Sequence, residues 1–224
     1  MHGDLVRTDD VPGEFARRVI EAFAGKDGDT FSLALSGGET ARRCYERLAD
    51  EGRNRIDWWK VDVYWGDERC VPIDHPASNF RLGREALLDR VGAANAYYPM
   101  RCEEGPDPYQ LRVGELGRLD VVHLGLGQDG HTASLFPGSP ALEADEGRLV
   151  VMNEDPTGAN PHGRMTLTFA GIARARLVLV TVAGESKREA FAAVRRGDDV
   201  PAGRVRAERL VWIVDPAAAG EEGE

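Results

Sequence analysis

Residues 119–138, LDVVHLGLGQDGHTASLFPG, decide the fold of this chain. Residues 119–124 form a short, mostly apolar run, which is typical of a buried strand. The loop over 125–134 carries three glycines, which let the backbone turn tightly and approach a ligand closely. It also carries polar side chains, among them Asp129 and His131. A strand that ends in such a loop indicates an open α/β sheet with an active site at its edge.

The glycines at 125, 127 and 130 also satisfy the dinucleotide fingerprint G-x-G-x-x-G. That fingerprint requires a full helix directly after the glycines, because the helix N-terminus holds the pyrophosphate. Pro137 and Gly138 would stop a helix within about two turns. The sequence therefore disfavours a nicotinamide or flavin dinucleotide at this loop.

Composition limits the classes of partner. The chain has 224 residues, 42% of them hydrophobic, which is enough for a sizeable core. Its formal net charge of -10 argues against nucleic acid or an anionic membrane as a partner. Local arginines can still bind an anionic small molecule. Cys44, Cys70 and Cys102 are far apart and odd in number, so they indicate neither a disulfide framework nor a zinc site.

The ends of the chain and its domain organisation are also predictable. The N-terminal stretch lacks the apolar core of a signal peptide, and no apolar run approaches the ~20 residues of a membrane helix. We therefore expect a cytoplasmic protein. No linker or composition shift divides the chain, which predicts one domain over residues 1–216 and a disordered tail over 217–224.

Several further apolar runs alternate with helical patterns along the chain. This alternation predicts a three-layer α/β/α sandwich with a largely parallel, Rossmann-like sheet. The predicted strands include FSLAL (31–35), VDVYW (61–65), a run at 149–152, MTLTF (165–169), LVLVTV (177–182) and LVWIV (210–214).

The strand at 31–35 runs directly into Ser36, Gly37, Gly38 and Thr40, where a helical pattern begins. Free amides at a helix N-terminus and the helix dipole favour an anion, so this segment is a candidate phosphate cradle. The alternative is an ordinary strand-to-helix turn in which Ser36 or Thr40 caps the helix. The segment alone does not decide between the two.

Other polar groups follow the remaining strands. Asp67 and Arg69 come after 61–65, and Lys187 comes after 177–182. In a parallel sheet these strand ends meet at one edge, where amides, lysine and arginine suit a phosphate. Asp67 and Arg69 could instead be a surface ion pair. Arg164 precedes its strand, so it reaches this edge only if that strand is antiparallel or its loop folds back.

His131 is the histidine that we place at this edge, whereas His123 lies within a strand and is expected in the core. A histidine beside a carboxylate suits a general base with an orienting partner. Asp129 and Asp67 are both candidates for that partner. The sequence predicts a catalytic group of His131, Asp129 and Asp67, and no metal site.

Four features together resemble one family. They are SGGET at 36–40, GDERCVPIDHPASNF at 66–80, GLGQDGHTASLFPG at 125–138, and the pair Arg164 and Lys187. These features resemble the glucosamine-6-phosphate isomerase/6-phosphogluconolactonase family over nearly the whole chain. The continuation Thr-Ala-Ser and Leu-Phe-Pro after Asp-Gly-His is similar to the lactonase form of that family.

The resemblance implies hydrolysis of 6-phospho-D-glucono-1,5-lactone to 6-phosphogluconate in the oxidative pentose phosphate pathway, without metal or organic cofactor. His131 would activate water. Phosphate would be held by Gly37, Gly38, Thr40, Arg164 and Lys187, while Arg69 or a loop amide would hold the oxyanion. A monomer or homodimer is expected. The alternatives are a deaminase- or isomerase-like enzyme, or a non-catalytic sugar-phosphate-binding module.

Overall fold

Seven parallel strands form the centre of the structure, a computed structural model that describes residues 1–26, 28–92 and 94–220. They are β1 (Asp4–Arg7), β2 (Phe31–Leu35), β3 (Val61–Trp65), β5 (Ala96–Tyr97), β6 (Leu119–Gly125), β9 (Ala175–Val182) and β10 (Arg209–Val214). Their order across the sheet is β1-β10-β9-β6-β2-β3-β5. The central strands β2, β6 and β9 are mostly apolar and buried along nearly their whole length, because both faces of a parallel sheet are covered.

Three more strands form a separate small antiparallel sheet of order β4-β8-β7. They are β4 (Asp67–Arg69), β7 (Val150–Asn153) and β8 (Arg164–Leu167). The sequence predicted strands near β7 and β8 but not that they leave the main sheet, because pairing partners are not visible in a hydrophobic pattern. One residue, Gly66, separates β3 in the large sheet from β4 in the small one. Its N–H donates to Leu35 O at 2.7 Å, and its carbonyl accepts from Leu167 N at 2.8 Å.

Helices flank the large sheet, so the predicted three-layer α/β/α sandwich is confirmed. They are α1 (Val11–Ala24), α2 (Glu39–Gly52), α3 (Asn79–Gly83), α4 (Asp89–Val91), α5 (Pro106–Leu116), α6 (Phe169–Ala173), α7 (Arg188–Arg196) and α8 (Pro216–Ala219). A π-helical segment, Arg84–Leu88, joins α3 to α4. Short 3₁₀ turns lie at Trp58–Lys60, Cys102–Glu104, Pro140–Glu143, Glu185–Lys187 and Pro201–Arg204. No helix in the described ranges is both long and apolar enough to cross a membrane.

Two expectations from the sequence need correction. The tail was expected from residue 217, but α8 includes Ala218 and Ala219, which are buried, and its start is capped by the Asp215 side chain. Residues 221–224 lie outside the described residues, and the single domain over 1–216 stays a prediction. Cys70 and Cys102 form a disulfide with a Cα–Cα distance of 5.4 Å. Their separation of 32 residues carried no sign of this proximity, which the fold alone creates.

Candidate active site

The ends of four strand segments surround a cavity of about 550 Å³. The loops after β2, β6 and β9 contribute to it, together with β4 at the edge of the small sheet. Most of the side chains and glycines predicted from the sequence line this one cavity: Ser36, Gly37, Gly38, Asp67, Arg69, Asp129, His131 and Lys187. A strand-edge site of this kind is where an open α/β sheet binds its ligand.

His131 is hydrogen-bonded to Asp129, with its Nδ1 at 2.5 Å from Asp129 Oδ1. The carboxylate accepts, so the proton lies on Nδ1 and the lone pair lies on Nε2, as a general base requires. Burial disfavours the charged form of Asp129, but hydrogen bonds from the His131 ring and backbone outweigh it and hold the pKa of this carboxyl below its usual value. The side chain of His131 is 22% exposed, so water can reach it.

The glycine-rich loop explains this geometry locally. A Cβ on Gly127 would lie 2.1 Å from His131 Nδ1, so the imidazole lies against a stretch of backbone that tolerates no side chain. Gly130 has a φ of +84°, a left-handed conformation that favours glycine. Gly127 N also donates to His131 O at 2.8 Å. No helix begins over 126–139, consistent with the rejected dinucleotide fingerprint.

Asp67 is the second carboxylate of the cavity, and it is held by other partners. Its Oδ2 accepts from Ser134 Oγ at 2.7 Å, and its Oδ1 accepts from Asn79 Nδ2 at 3.2 Å. Within the described part of the chain, the His131 ring hydrogen-bonds Asp129 and not Asp67. Of the two candidates for orienting His131, the structure therefore pairs it with Asp129, while Asp67 presents a buried carboxylate to the cavity.

Asn79 is a further cavity residue, to which the sequence analysis gave no role of its own. The cap of α3 is Ser78, whose Oγ accepts from Arg81 N at 3.1 Å. Asn79 is fully buried, and its Nδ2 donates to Asp67 O at 2.9 Å. Both neighbours of that nitrogen are acceptors, which fixes the orientation of the amide. The role of Asn79 depends on a contact across 12 residues of chain, so no local pattern predicts it.

The predicted phosphate cradle begins α2. Gly38 is the N-cap residue, with a φ of +96° and no side-chain hydrogen bond to the first turn, so neither Ser36 nor Thr40 acts as the cap. This supports the cradle over the alternative of a capped turn, because the amides of the first helical turn stay available to an anion. Thr40 lines an adjoining cavity of about 470 Å³. Gly37, Gly38 and Lys187 border both cavities.

Lys187 contributes a cation to both cavities. It precedes α7 and is half-buried. Burial lowers the pKa of its ammonium group, and the negative charge of Asp129 opposes that shift. A cation that is poorly hydrated and close to free amides is well suited to bind a phosphate.

The two predicted arginines differ in position. Arg69 lines the cavity, and its Nη1 donates to Ala77 O at 2.7 Å. Arg164 lies on β8, which is antiparallel, as we expected of a strand that brings Arg164 to the edge of the sheet. Arg164 nevertheless borders neither cavity. Its Nη1 donates to the carbonyls of Pro161 and His162 at 2.6 and 2.7 Å. Burial and the nearby Arg69 charge lower its pKa. Arg164 therefore supports the loop that precedes it in this structure.

A buried chain of hydrogen bonds stands behind the cradle. Ser36 N donates to Tyr45 Oη at 2.5 Å, and that oxygen lies 2.8 Å from His123 Nδ1. His123 Nε2 lies 2.8 Å from Thr181 Oγ1. His123 is fully buried, as predicted for a core histidine, and burial lowers its pKa to about 3. A neutral His123 thus fixes the turn from which Gly37 and Gly38 project.

The loop between β7 and β8 closes one side of the cavity through Ala159 and Asn160. Asp155 anchors this loop, because its Oδ2 accepts from both the backbone N and the Nδ2 of Asn160, at 2.9 and 2.7 Å. Within the described ranges, no group of three or more His, Cys, Asp or Glu side chains is arranged to hold a metal ion. The cavity therefore brings together a histidine, two carboxylates, a lysine and the free amides at the start of α2.

Fold and site define an α/β protein whose strand-edge cavity holds a histidine–aspartate pair, a lysine and the amide-lined start of a helix, a set of groups that suits an anionic small molecule such as a sugar phosphate. Its sequence matches the family Glucosamine-6-phosphate isomerases/6-phosphogluconolactonase over residues 8–212. The chain belongs to this family, which confirms the resemblance drawn from its motifs.

Individual members of this family are similar to the chain in sequence and in structure. A 6-phosphogluconolactonase of Synechocystis is 38% identical over 220 residues, covering 90% of this chain and 88% of the relative. The crystal structure of 6-phosphogluconolactonase from Leishmania guyanensis superposes with a TM-score of 0.83 at 26% identity, covering all of both chains. A monomeric glucosamine-6-phosphate deaminase superposes with a TM-score of 0.81 at 19% identity, over 96% of this chain and 98% of the deaminase, which shows the shared fold alone.

Proposed function

We propose that this protein is a 6-phosphogluconolactonase, which hydrolyses 6-phospho-D-glucono-1,5-lactone to 6-phosphogluconate in the oxidative pentose phosphate pathway. The observation that carries the proposal is one cavity lined by His131, which is hydrogen-bonded to Asp129, by Lys187 and by Gly37 and Gly38 at the uncapped start of α2. Similarity to lactonases over most of the chain supports the same reaction.

In the proposed mechanism, Nε2 of His131 takes a proton from water as its oxygen attacks the lactone carbonyl. Asp129 keeps the proton on Nδ1 and stabilises the imidazolium that forms. The tetrahedral oxyanion is held by the Arg69 guanidinium or a loop amide. His131 then returns the proton to the ring oxygen as the C–O bond breaks. Asp67, buried at the cavity wall, accepts hydrogen bonds from sugar hydroxyls.

The phosphate binds at the other end of the substrate, to the amides of Gly37 and Gly38, to Thr40 and to Lys187. Arg164 acts indirectly, by supporting the loop whose residues Ala159 and Asn160 border the cavity. Because the phosphate is remote from the reacting carbon, its binding energy positions the carbonyl next to His131. We further propose that the reaction needs no cofactor and takes place in the cytoplasm, with a monomer or homodimer as the active form.

A deaminase- or isomerase-like reaction on glucosamine 6-phosphate is the alternative on the same fold. Ammonia release from that substrate, without lactonase activity, would establish it instead. A non-catalytic sugar-phosphate-binding module would bind 6-phosphogluconate but accelerate neither reaction. Both alternatives are therefore decided by two assays on one protein preparation.

The test of the base is His131→Ala. We expect kcat for lactone hydrolysis to fall by about 10²-fold or more, the usual effect of removing a general base. The assay follows acid release in a pH-stat after subtraction of spontaneous hydrolysis. His2→Ala is the matched control, because His2 is exposed and outside both cavities. Near-normal turnover by His131→Ala would exclude His131 as the base.

The test of the cradle is Lys187→Ala. We expect KM for the phosphorylated lactone to rise much more than KM for unphosphorylated gluconolactone, because only the former has a group for the ammonium to bind. Lys60→Ala, which changes an exposed lysine, serves as the control. Equal effects of Lys187→Ala on both substrates would show that Lys187 does not contact the phosphate.

A further inference from the structure

The Cys70–Cys102 disulfide lies directly beside the candidate active site. Cys70 follows Arg69 at the end of β4, and Cys102 begins the 3₁₀ turn Cys102–Glu104 that precedes α5. Both cysteines are partly exposed. The third cysteine, Cys44, is fully buried in α2 as a free thiol, and burial raises its pKa to about 12. The chain thus has one accessible cysteine pair and one inert cysteine.

A cleft of about 410 Å³ gives access to this disulfide. Both cysteines line it, and so do the cationic residues Arg69 and Arg101. The acidic residues Glu68 and Glu103 border the same cleft. Cations next to a sulfur stabilise the thiolate that leaves during disulfide exchange. Arg69 borders both this cleft and the candidate active-site cavity.

From this arrangement we propose that Cys70 and Cys102 form a thiol–disulfide exchange site whose redox state controls the position of Arg69. A thiolate of a dithiol reductant attacks one cysteine sulfur, which breaks the Cys70–Cys102 bond and forms a mixed disulfide. The second thiol of the reductant then resolves it. Two electrons and two protons pass to the protein, which leaves two cysteine thiols, and the reductant becomes a disulfide.

The hydrogen bonds around Arg69 explain why the cross-link matters. Its guanidinium is held by Ala77 O, at the end of segment 71–77. The disulfide fixes the residue before this segment, and Glu68 fixes the residues after it by accepting from Asn79 N at 2.6 Å and Phe80 N at 2.7 Å. When the disulfide is broken, Cys70 keeps the hydrogen bond from its N to Gly163 O, and the segment keeps the one from Arg81 Nη1 to Asp74 O at 2.8 Å. The segment that carries the Ala77 carbonyl then loses its covalent link to Cys102 and depends on hydrogen bonds alone.

A disulfide that only stabilises the fold would have a different signature. It would raise the resistance of the protein to denaturation but leave KM and kcat of the folded enzyme unchanged. A disulfide that positions Arg69 changes the kinetics of a protein that is still folded. The kinetic part of this inference rests on the proposed lactonase function, whereas the thiol chemistry does not.

The first measurement counts thiols. In oxidised native protein, iodoacetamide should label no cysteine, and after denaturation it should label Cys44 alone. After incubation with dithiothreitol, native protein should be labelled at Cys70 and Cys102, as read by peptide mass spectrometry. Label on Cys70 and Cys102 without dithiothreitol, in protein purified under air, would overturn the proposal. So would failure of dithiothreitol to expose them in the folded protein.

The second measurement is lactone hydrolysis by the same oxidised and reduced samples, with circular dichroism to confirm that both are folded. We expect reduction to raise KM by about fivefold or more, since misplaced contacts to substrate weaken binding and orientation. The Cys70→Ser/Cys102→Ser double variant should show the reduced KM permanently and no response to dithiothreitol. Cys44→Ser should respond as the wild type does, because Cys44 is buried away from the cleft.

The two measurements separate the possible failures. Equal KM and kcat for the oxidised and reduced enzyme, with the thiols exposed as expected, would overturn the control of Arg69. Absence of lactonase activity in both forms would overturn the proposed function, while the labelling pattern would still decide whether the exchange site exists.

Discussion

The buried His123 should make the stability of this protein depend on pH in mildly acidic solution. In the folded state its ring lies between Tyr45 and Thr181 and packs on Phe15 with a centroid distance of 4.3 Å. Burial lowers its pKa from 6.5 to about 3. In the unfolded chain the imidazole titrates normally, so below pH 6.5 the unfolded state binds a proton that the folded state excludes.

The pH dependence of the free energy of unfolding follows from the difference between the pKa of His123 in the folded and the unfolded state. The folded pKa is depressed, so the contribution of His123 to stability is complete above pH 6.5 and is lost as the pH falls toward about 3. At pH 5 the unfolded state gains a factor of about thirty, which corresponds to about 2 kcal/mol. At pH 3 the loss is about 4 kcal/mol, on the order of half the stability of a typical domain.

The test compares wild type with His123→Gln, which cannot titrate. Urea unfolding at pH 7.5 and pH 5.0 gives the free energy of unfolding at each pH. We expect the decrease between the two pH values to be about 2 kcal/mol smaller in His123→Gln than in wild type. Thr181→Val is the matched control: it removes one hydrogen bond to His123 but leaves the ring buried, so stability falls at both pH values and the difference between them is retained.

An equal decrease in wild type and His123→Gln would refute the argument, because it would mean that His123 binds protons equally well in the folded and unfolded states. A difference in stability between the two proteins at pH 7.5 alone would not test the pKa of His123, because any substitution of His123 also changes packing and hydrogen bonding.

Two further predictions concern the site itself. Asp129→Asn should lower kcat by about 10- to 100-fold, because an amide no longer holds the proton on Nδ1 of His131; unchanged steady-state kinetics would remove Asp129 from the mechanism. Gly37→Ala should lower the free energy of unfolding by about 1–3 kcal/mol, because its Cβ would lie 1.9 Å from Asn79 Oδ1. Gly114→Ala, in an open position of α5, should instead be neutral or stabilising in the same thermal-unfolding assay.

The chemical part of the site was predictable because it lies in short continuous motifs. Residues that are adjacent in sequence determine the local geometry of two segments. These are the glycine-rich loop with His131 and Asp129, and the strand-to-helix turn at Gly37 and Gly38. Because the carboxyl ends of parallel strands lie at one edge of the sheet, the meeting of these segments there could be expected. Their individual roles in catalysis and binding stay predictions.

The features that the sequence did not predict depend on contacts between segments that are distant in sequence. No pattern shows that Asn79 donates to Asp67, or that Cys70 meets Cys102. Arg164 illustrates the opposite case. Its residue type and its antiparallel strand favoured a position in the cavity. Three consecutive carbonyls at 161–163 instead accept hydrogen bonds from its guanidinium. Competition between a ligand and nearby backbone acceptors for one side chain is decided by loop conformation, which residue type alone does not reveal.

The short connection through Gly66 has a mechanical consequence. Since this residue hydrogen-bonds to β2 on one side and to the end of β8 on the other, the two sheets cannot rotate about each other without breaking both bonds. Hinge closure between the two sheets, a common way to enclose a substrate, would therefore break both bonds in this fold. We expect the walls around His131 to keep their shape during turnover, and any closure over the substrate to come from the 154–163 loop, which borders the cavity through Ala159 and Asn160.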